Sequence, residues 1–380
     1  MEIKNRNLFR LTRFVIFKIS YLFKFLAKFR SGKKRLLILK TDAIGDYILF
    51  RNFIEIVKLS DEYKNYEIDL LGNPLWRDIV LSYDAPFVTE LMFTRIYDLY
   101  EAPLKTFKLG WQLFKRNYAV VLQPSSNRLL ITDGLAALTA AKQIIGYEGN
   151  TESIQQRYKT KSDKFYTQRL LLPAAVYFEF DRSKFFFEAV LKQKLDINGP
   201  LIKTKQTERK GIIIFPGAGI IKRGWEPEKF LELIKLIKQQ TNQPVYIAGG
   251  PAEAAVAEYL TNALPQGEVI NLTGKTTLPQ LVELIGSAAL VVSNETSAIH
   301  IAAAAQTPAI CILGGGHFGR FAPYPAHMAQ TTICAYEKME CYNCNWNCIY
   351  ETMPNAPYPC ISIVSLDKVW LMAQQALNQL

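Results

Sequence analysis

Short apolar runs alternate along this chain with longer stretches whose apolar residues recur every three or four positions, and the alternation happens twice. RLLILK (35–40), YEIDLLG (66–72), YAVVLQP (118–124) and KQIIGY (142–147) have the length and unbroken apolar character of strands buried on both faces. Between them, 48–59 and 104–116 carry the helical period. From 150 to 205 the pattern weakens. TESIQQRYKTKSDK is polar, FFFEAVLKQKL is helical in period, and DINGPLIKTKQTERK reads as a linker. A second series then begins with GIIIFPGAG (211–219), PVYIAGG (244–250), EVINLTG (268–274), ALVVSN (289–294) and AICILGG (309–315). Helical segments at 227–240, 252–263, 278–287 and 297–304 separate these runs, and SLDKVWLMAQQAL reads as a closing helix. Strands alternating with helices predict parallel, doubly wound sheets. The expected fold is therefore α/β, with two Rossmann-like domains, 35–205 and 206–365, facing each other across a cleft, and a closing helix at 366–380.

Composition adds a third part. The 380 residues are 49% hydrophobic and 21% charged, a globular balance, with a net charge of +11. Eleven Lys and Arg crowd residues 1–35 against the single acid Glu2, so about +1 is left for the rest of the chain. The basicity belongs to a tail, which argues against a nucleic-acid-binding domain. On a helix, Arg6, Arg10, Arg13, Lys18, Lys24 and Lys28 fall within roughly 140° of arc, and Phe9, Val15, Ile16, Ile19, Leu22, Phe23, Leu26 and Phe29 fill the remainder. Lys18 and Lys24 interrupt any span of the ~20 apolar residues that crossing a bilayer requires. A signal peptide would need an unbroken apolar stretch and a small-residue cleavage site, and neither precedes SGKKR. Residues 1–34 are expected to lie on an anionic membrane surface. The alternative is a helix packed on the protein's own surface.

Three strand ends carry candidate chemistry. FPGAGIIKRGWEPEKF (215–230) has a strand ending at Phe215 and then the amides of Gly217, Ala218 and Gly219, which can approach an anion closely. Lys222 and Arg223 follow just before a helix, so the parts of a diphosphate site are present, as they are in an ordinary strand–loop–helix turn with two solvated cations. VVSNETSAIHIAAAAQTPAICILGGG (291–316) places Glu295, Thr296 and Ser297 at a helix N-terminus, with His300 one turn in, as a ligand or as a satisfied structural histidine. In GGPAEAAV (249–256), Glu253 suits the two hydroxyls of a ribose or the first turn of a helix. The first strand leads instead into KTDAIGDYILF, where Asp42 and Asp46 flank Gly45. Carboxylates repel phosphate, so this turn is not a phosphate loop; helix capping is the default role for Asp42. Neither half carries G-x-G-x-x-G or a Walker A sequence, which disfavours a dehydrogenase or a P-loop NTPase.

Taken together, LLILKTDAIGDYILFRNF, PGAG with KRGW, GGPAE, LTGKTTLPQLVELI, NETSAIHIAAA and a cysteine-bearing end resemble glycosyltransferase family 9, the ADP-heptose:lipopolysaccharide heptosyltransferases. The matches run over roughly residues 35–370, with little from 60–205. The resemblance implies a GT-B fold with the acceptor domain first and the nucleotide-sugar domain second. It implies inverting transfer of a heptose or related sugar from a nucleotide diphosphate donor such as ADP-heptose to a lipid-linked core acceptor, with no metal and no further cofactor. It makes Asp46 the catalytic base. The donor set becomes Gly217, Ala218, Gly219, Lys222 or Arg223, Glu253, Thr273, Lys275, Glu295, Thr296, Ser297 and His300. Two departures stand out. Gly224 is inserted before Trp225, and Glu295-Thr296-Ser297 replaces the family's Asp-Thr-Gly. The implied place of work is the cytoplasmic face of a bacterial inner membrane.

Other features stay open. Cys341, Cys344, Cys348 and Cys360 form either a structural metal site or a set of reduced thiols. Cys311 reads as core and Cys334 as a further partner. GGGHFGRFAPYP (314–325) either closes over the sugar or serves as a turn-dense connector. Two rival functions remain: a nucleotide-sugar epimerase or hydrolase on the same fold, and a non-catalytic membrane-associated glycan-binding protein.

Overall fold

The computed structural model describes residues 3–205, 208–328 and 331–378, so the boundary expected at 206 lies outside the described residues. The chain divides into two compact units, Met1–Val176 with Asp181–Asp196, and Tyr177–Phe180 with Ile197–Leu380. Each is built around one parallel six-stranded sheet.

In the first unit the strands are β1 (Arg35–Leu39), β2 (Glu67–Gly72), β3 (Glu90–Phe93), β4 (Val120–Gln123), β5 (Gln143–Tyr147) and β6 (Gln168–Leu170), in the order β3-β2-β1-β4-β5-β6. Leu36 to Leu39 are buried on both faces, which explains their unbroken apolar run. Leu36 pairs with Ile68 on one side and with Val120 on the other. The outer strands β3 and β6 are the two that the apolar pattern does not reveal. Each has one neighbour in the sheet, and their partly exposed residues relax the demand for apolar side chains.

The second unit holds β7 (Ile212–Phe215), β8 (Val245–Ile247), β9 (Val269–Asn271), β10 (Leu290–Asn294), β11 (Ala309–Ile312) and β12 (Thr332–Ala335), in the order β12-β11-β10-β7-β8-β9. Helices Pro227–Gln240, Leu278–Gly286 and Ser297–Ala304 form where helical period was read, and Leu366–Leu377 closes the unit. Val369 and Ala373 of that last helix join the core with Phe230, Leu233 and Ile237. In both sheets the chain reverses its direction of winding at one place, between β1 and β4 and between β7 and β10. Such switch points leave a crevice at the carboxyl ends of the strands, where open α/β sheets bind ligands.

In the structure, Arg6–Phe14, Val15–Ile19 and Ser20–Leu26 run as consecutive helical segments, and one side of them belongs to the core of the first unit. Thr12, Ile16 and Phe23 are buried, spaced as one face of a helix requires. A Cβ on Gly134 would lie 2.5 Å from Ile16, so that glycine lets the tail seat closely. The Phe23 ring stacks 4.4 Å from Phe114. Two of the cations turn inward: Arg13 donates to the Tyr158 hydroxyl at 3.0 Å, and the Arg30 guanidinium sits 3.9 Å over Phe114. The packing alternative is therefore real for this face. Among the described residues no helix is long and apolar enough to cross a membrane.

Candidate functional site

In the first unit, Asp46 lies in the opening turn of helix Ile44–Phe50, directly after β1 and at the switch point of its sheet. It is partly exposed, and the next residue, Tyr47, is fully buried. Tyr47 fixes that turn from below. Its ring stacks on Trp76 at 4.0 Å, and its hydroxyl donates to Asp84 at 2.7 Å. Arg51, one turn along, pairs with the same carboxylate at 2.6 Å. Burial raises the Asp84 pKa, and Arg51 and Tyr47 oppose the shift. The loop before the helix is tied as well. Trp76 Nε1 donates to the Asp42 carbonyl at 3.0 Å and Asn73 Nδ2 to the Thr41 carbonyl at 3.2 Å.

Asp42 is not a helix cap. The cap position belongs to Ala43, with no side-chain hydrogen bond. The Asp42 carboxylate instead meets the buried Lys40 ammonium at 2.8 Å and accepts from Ser125 Oγ at 2.6 Å, which links the β1 loop to the β4 loop. Asp42 thus helps hold the switch point together, and the turn that presents Asp46 is backed by Tyr47, Trp76 and Asn73.

In the second unit the proposed donor residues gather at the carboxyl edge of the sheet. Residues 217–219 follow β7, Glu253 follows β8, Thr273 and Lys275 follow β9, and 295–297 follow β10. The loops after β7 and β8 touch. A Cβ on Gly217 would fall 2.1 Å from Glu253 Cγ, so only glycine lets the Glu253 side chain lie against that turn. Gly219 has φ +67, a conformation that L side chains rarely adopt. The loop after β9 joins them through the Gly274 amide, which donates to the Gly249 carbonyl at 3.0 Å. Lys275 is exposed and bends back to the Asn271 carbonyl at 2.8 Å. Thr273 Oγ1 is buried without a hydrogen-bond partner.

Asn294, the last residue of β10, was not singled out by sequence and is the pin of this edge. It is fully buried. Its Oδ1 accepts the Trp225 amide at 2.9 Å, and its Nδ2 donates to the carbonyls of Pro216 and Gly217 at 2.8 and 3.1 Å. One side chain therefore shapes the whole turn from Pro216 to Trp225. Thr296 caps helix Ser297–Ala304, its Oγ1 accepting from the Ala298 amide and lying 3.1 Å from Ser293 Oγ. The amide-rich start of that helix is thus fixed beside the β7 turn, an arrangement that favours an anion.

Lys222 and Arg223 are held from the cysteine-bearing segment. Lys222 Nζ donates to Thr352 Oγ1 at 2.8 Å, and the Arg223 guanidinium sits 4.3 Å over the Trp346 ring. Trp346 is itself packed on Gly316 and stacked with Tyr358. Arg223 Nε and Glu295 Oε2 are both buried without a hydrogen-bond partner. Burial pushes the Glu295 carboxyl up to about 8, against the opposing influence of Arg223. A proton on Glu295 removes a charge that would repel a phosphate, so the substitution of Glu for the family's Asp is compatible with an anion at neutral pH.

This proton has a measurable consequence. The folded chain retains it where the unfolded chain has lost it, so stability falls as pH climbs from the ordinary Glu value of 4.5 through about 8. Glu295→Gln is expected to flatten that fall in Tm over the same interval. A variant with the parent's slope would assign the titration to another group.

His300 stands apart from the other proposed donor residues. It is 4% exposed, its Nδ1 is 2.9 Å from the Tyr324 hydroxyl, and burial pulls its pKa down to about 4, so the ring is neutral at pH 7. These contacts match the structural-histidine alternative. The 314–325 loop is densely packed: a Cβ on Gly315 or Gly316 would collide with Tyr342 or Trp346. Trp346 Nε1 also donates to His317 Nδ1 at 3.3 Å. All six cysteines are thiols, and among the described residues no three His, Cys, Asp or Glu side chains are arranged to hold a metal ion.

Two doubly wound parallel sheets, the second with a glycine turn, a cation pair and a helix N-terminus at its switch point, define a two-domain enzyme of the GT-B type. The chain belongs to glycosyltransferase family 9 (heptosyltransferase), whose model matches residues 106–349, more than half of its length. It is 30% identical to lipopolysaccharide heptosyltransferase 3 of Escherichia coli over 34% of this chain and 38% of the relative's. It is 26% identical to lipooligosaccharide heptosyltransferase 2 of Haemophilus influenzae over 73% of this chain and 83% of that one. The structure of E. coli ADP-heptose lps heptosyltransferase II superposes with a TM-score of 0.67 at 16% identity, covering 91% of this chain and 99% of the other.

Proposed function

We propose that this chain transfers a heptose or closely related sugar from a nucleotide diphosphate sugar such as ADP-heptose to a hydroxyl of a lipopolysaccharide core or similar lipid-linked glycan, inverting the anomeric centre without a metal. The observation that carries this reading is the convergence at one switch point of the Gly217 turn, Glu253, Lys222, Arg223 and the Thr296-capped helix start, in a chain of family 9. Glu253 takes the ribose hydroxyls. The amides of 217–219 and of Ser297, with Lys222 and Arg223, take the diphosphate.

The reaction is one displacement. Asp46 accepts the proton of the acceptor hydroxyl, the oxygen of that hydroxyl bonds to the anomeric carbon, and the bond from that carbon to the β-phosphate oxygen breaks. The leaving nucleoside diphosphate gains negative charge as the bond lengthens. Fixed cations and amides stabilise that charge most where water is excluded. They fill the part that a divalent ion plays in other transferases. Residues 1–34 keep the enzyme at the inner face of a bacterial inner membrane, where such an acceptor is assembled.

Mass spectrometry of products from ADP-, UDP- and GDP-sugars with a lipid-linked core acceptor tests the donor and acceptor classes. Transfer with ADP-heptose is expected to continue undiminished in EDTA, with the anomeric configuration inverted by NMR. A strict requirement for a divalent ion would overturn the displacement as written. Donor hydrolysis without any acceptor would favour the epimerase or hydrolase class instead.

A further inference from the structure

The tail helix has two apolar faces, and only one is used by the core. Leu11, Phe14, Tyr21, Leu22, Phe25 and Phe29 form a stripe on the outer side, interrupted at the exposed Lys18, with Phe14 56% and Phe29 77% exposed. Beside this stripe, where the tail crosses β5 and the segment before β6, lies a cavity of about 270 Å³. Its floor is apolar, including Ala137 and Phe165, and its rim carries Lys24, Lys28, Lys142 and Lys164. All four lysines are exposed, and among the described residues no acidic side chain lines the cavity. Tyr21 belongs to both the stripe and the cavity wall, so the two features are one continuous surface.

Four exposed ammonium groups around one hollow make a concentrated positive patch that attracts anions. A free metabolite would not explain the exposed aromatic stripe running out of the hollow. An anionic phospholipid meets every element at once: phosphate at the lysine rim, the upper acyl chain over the floor, and neighbouring lipids against Phe14, Phe25 and Phe29. We propose that this cavity is a binding site for the headgroup of an anionic phospholipid and that the outer stripe inserts beside it. The tail then orients the first unit on the bilayer as well as tethering it. The inference rests on the reading that the chain works at a membrane surface, and it adds a specific pocket to that reading.

The test compares two full-length variants that each remove four positive charges. One replaces the rim (Lys24→Gln, Lys28→Gln, Lys142→Gln and Lys164→Gln). The other replaces tail cations that do not line the cavity (Arg10→Gln, Lys18→Gln, Lys33→Gln and Lys34→Gln). Co-sedimentation is measured with vesicles of phosphatidylcholine alone and with added phosphatidylglycerol, and Tm is followed for each protein. The parent is expected to bind only the anionic vesicles. The rim variant is expected to lose about tenfold or more beyond the loss of the other variant, with Tm unchanged. Equal losses would reduce the effect to diffuse surface charge and overturn the pocket, as would parent-like binding by the rim variant. Displacement of the parent from vesicles by inorganic phosphate, to the level seen with phosphatidylcholine, would reassign the rim to a soluble anion. A parent that ignores anionic vesicles overturns the membrane reading itself. Sugar transfer to a short water-soluble acceptor reports on the transferase reading independently of all these arms.

Discussion

Asp46→Asn is expected to lower the turnover of sugar transfer by about 10²- to 10⁴-fold, the usual reach of a general base. Nucleotide affinity should stay within about twofold, because uniform binding is untouched when only a transition-state role is lost. The substitution preserves shape, and the turn that carries it is also held by neighbouring groups. Tyr47 is locked between Trp76 and Asp84, and the preceding loop is tied by Asn73 and Trp76. The loss of turnover should therefore far exceed any loss of stability. Asp42→Asn serves as the contrast. It weakens an ion pair to a fully buried Lys40 and a hydrogen bond to Ser125, so it should lower Tm and lose activity through the fold. Single-turnover kinetics with calorimetry of ADP binding separate the two. Near-normal turnover in Asp46→Asn would place the base elsewhere.

What the sequence disclosed follows from range. Interior strands buried on both faces advertise themselves as apolar runs, so the eight interior strands and nearly every helix of the second unit could be read in place, together with one edge strand, β9. The edge strands β3, β6 and β12 are three or four residues long and half solvated, so their pairing is decided by neighbours that no local window contains. The tail shows a different limit. Amphipathicity reveals that a helix has an apolar side and is silent on whether lipid or protein covers it. Here Ile16 and Phe23 face protein while Phe14 and Phe29 do not. Loop chemistry was legible where one motif held it, as in PGAGIIKR. It was hidden where contacts join distant residues: Asn294 to Trp225, Lys222 to Thr352, Arg223 to Trp346 and His300 to Tyr324. The Asn in NETS was the available signal. A buried amide at a strand end can satisfy several backbone groups together, and Asn294 does so for three.

Asn294→Ala should therefore carry the second large effect, on both stability and donor affinity. It leaves the Trp225 amide and the carbonyls of Pro216 and Gly217 without their partner in a buried place. Each unsatisfied buried group costs about 1–3 kcal/mol. Relaxation and entering water would recover part of this, so a loss of about 2–5 kcal/mol is expected. The same contacts shape the turn that presents the amides of 217–219, and Glu253 packs on that turn through Gly217. ADP affinity should fall by about 10- to 100-fold as the turn loosens. Gln280→Ala gives the control, since it removes one half of an exposed capping box at helix Leu278–Gly286. It should cost about 1 kcal/mol with no change in ADP binding. Thermal unfolding together with titration calorimetry reads both quantities. If Asn294→Ala lost stability yet bound ADP as tightly as the parent, the β7 turn would not be the diphosphate cradle, and the donor site would have to be sought on other loops of the same edge.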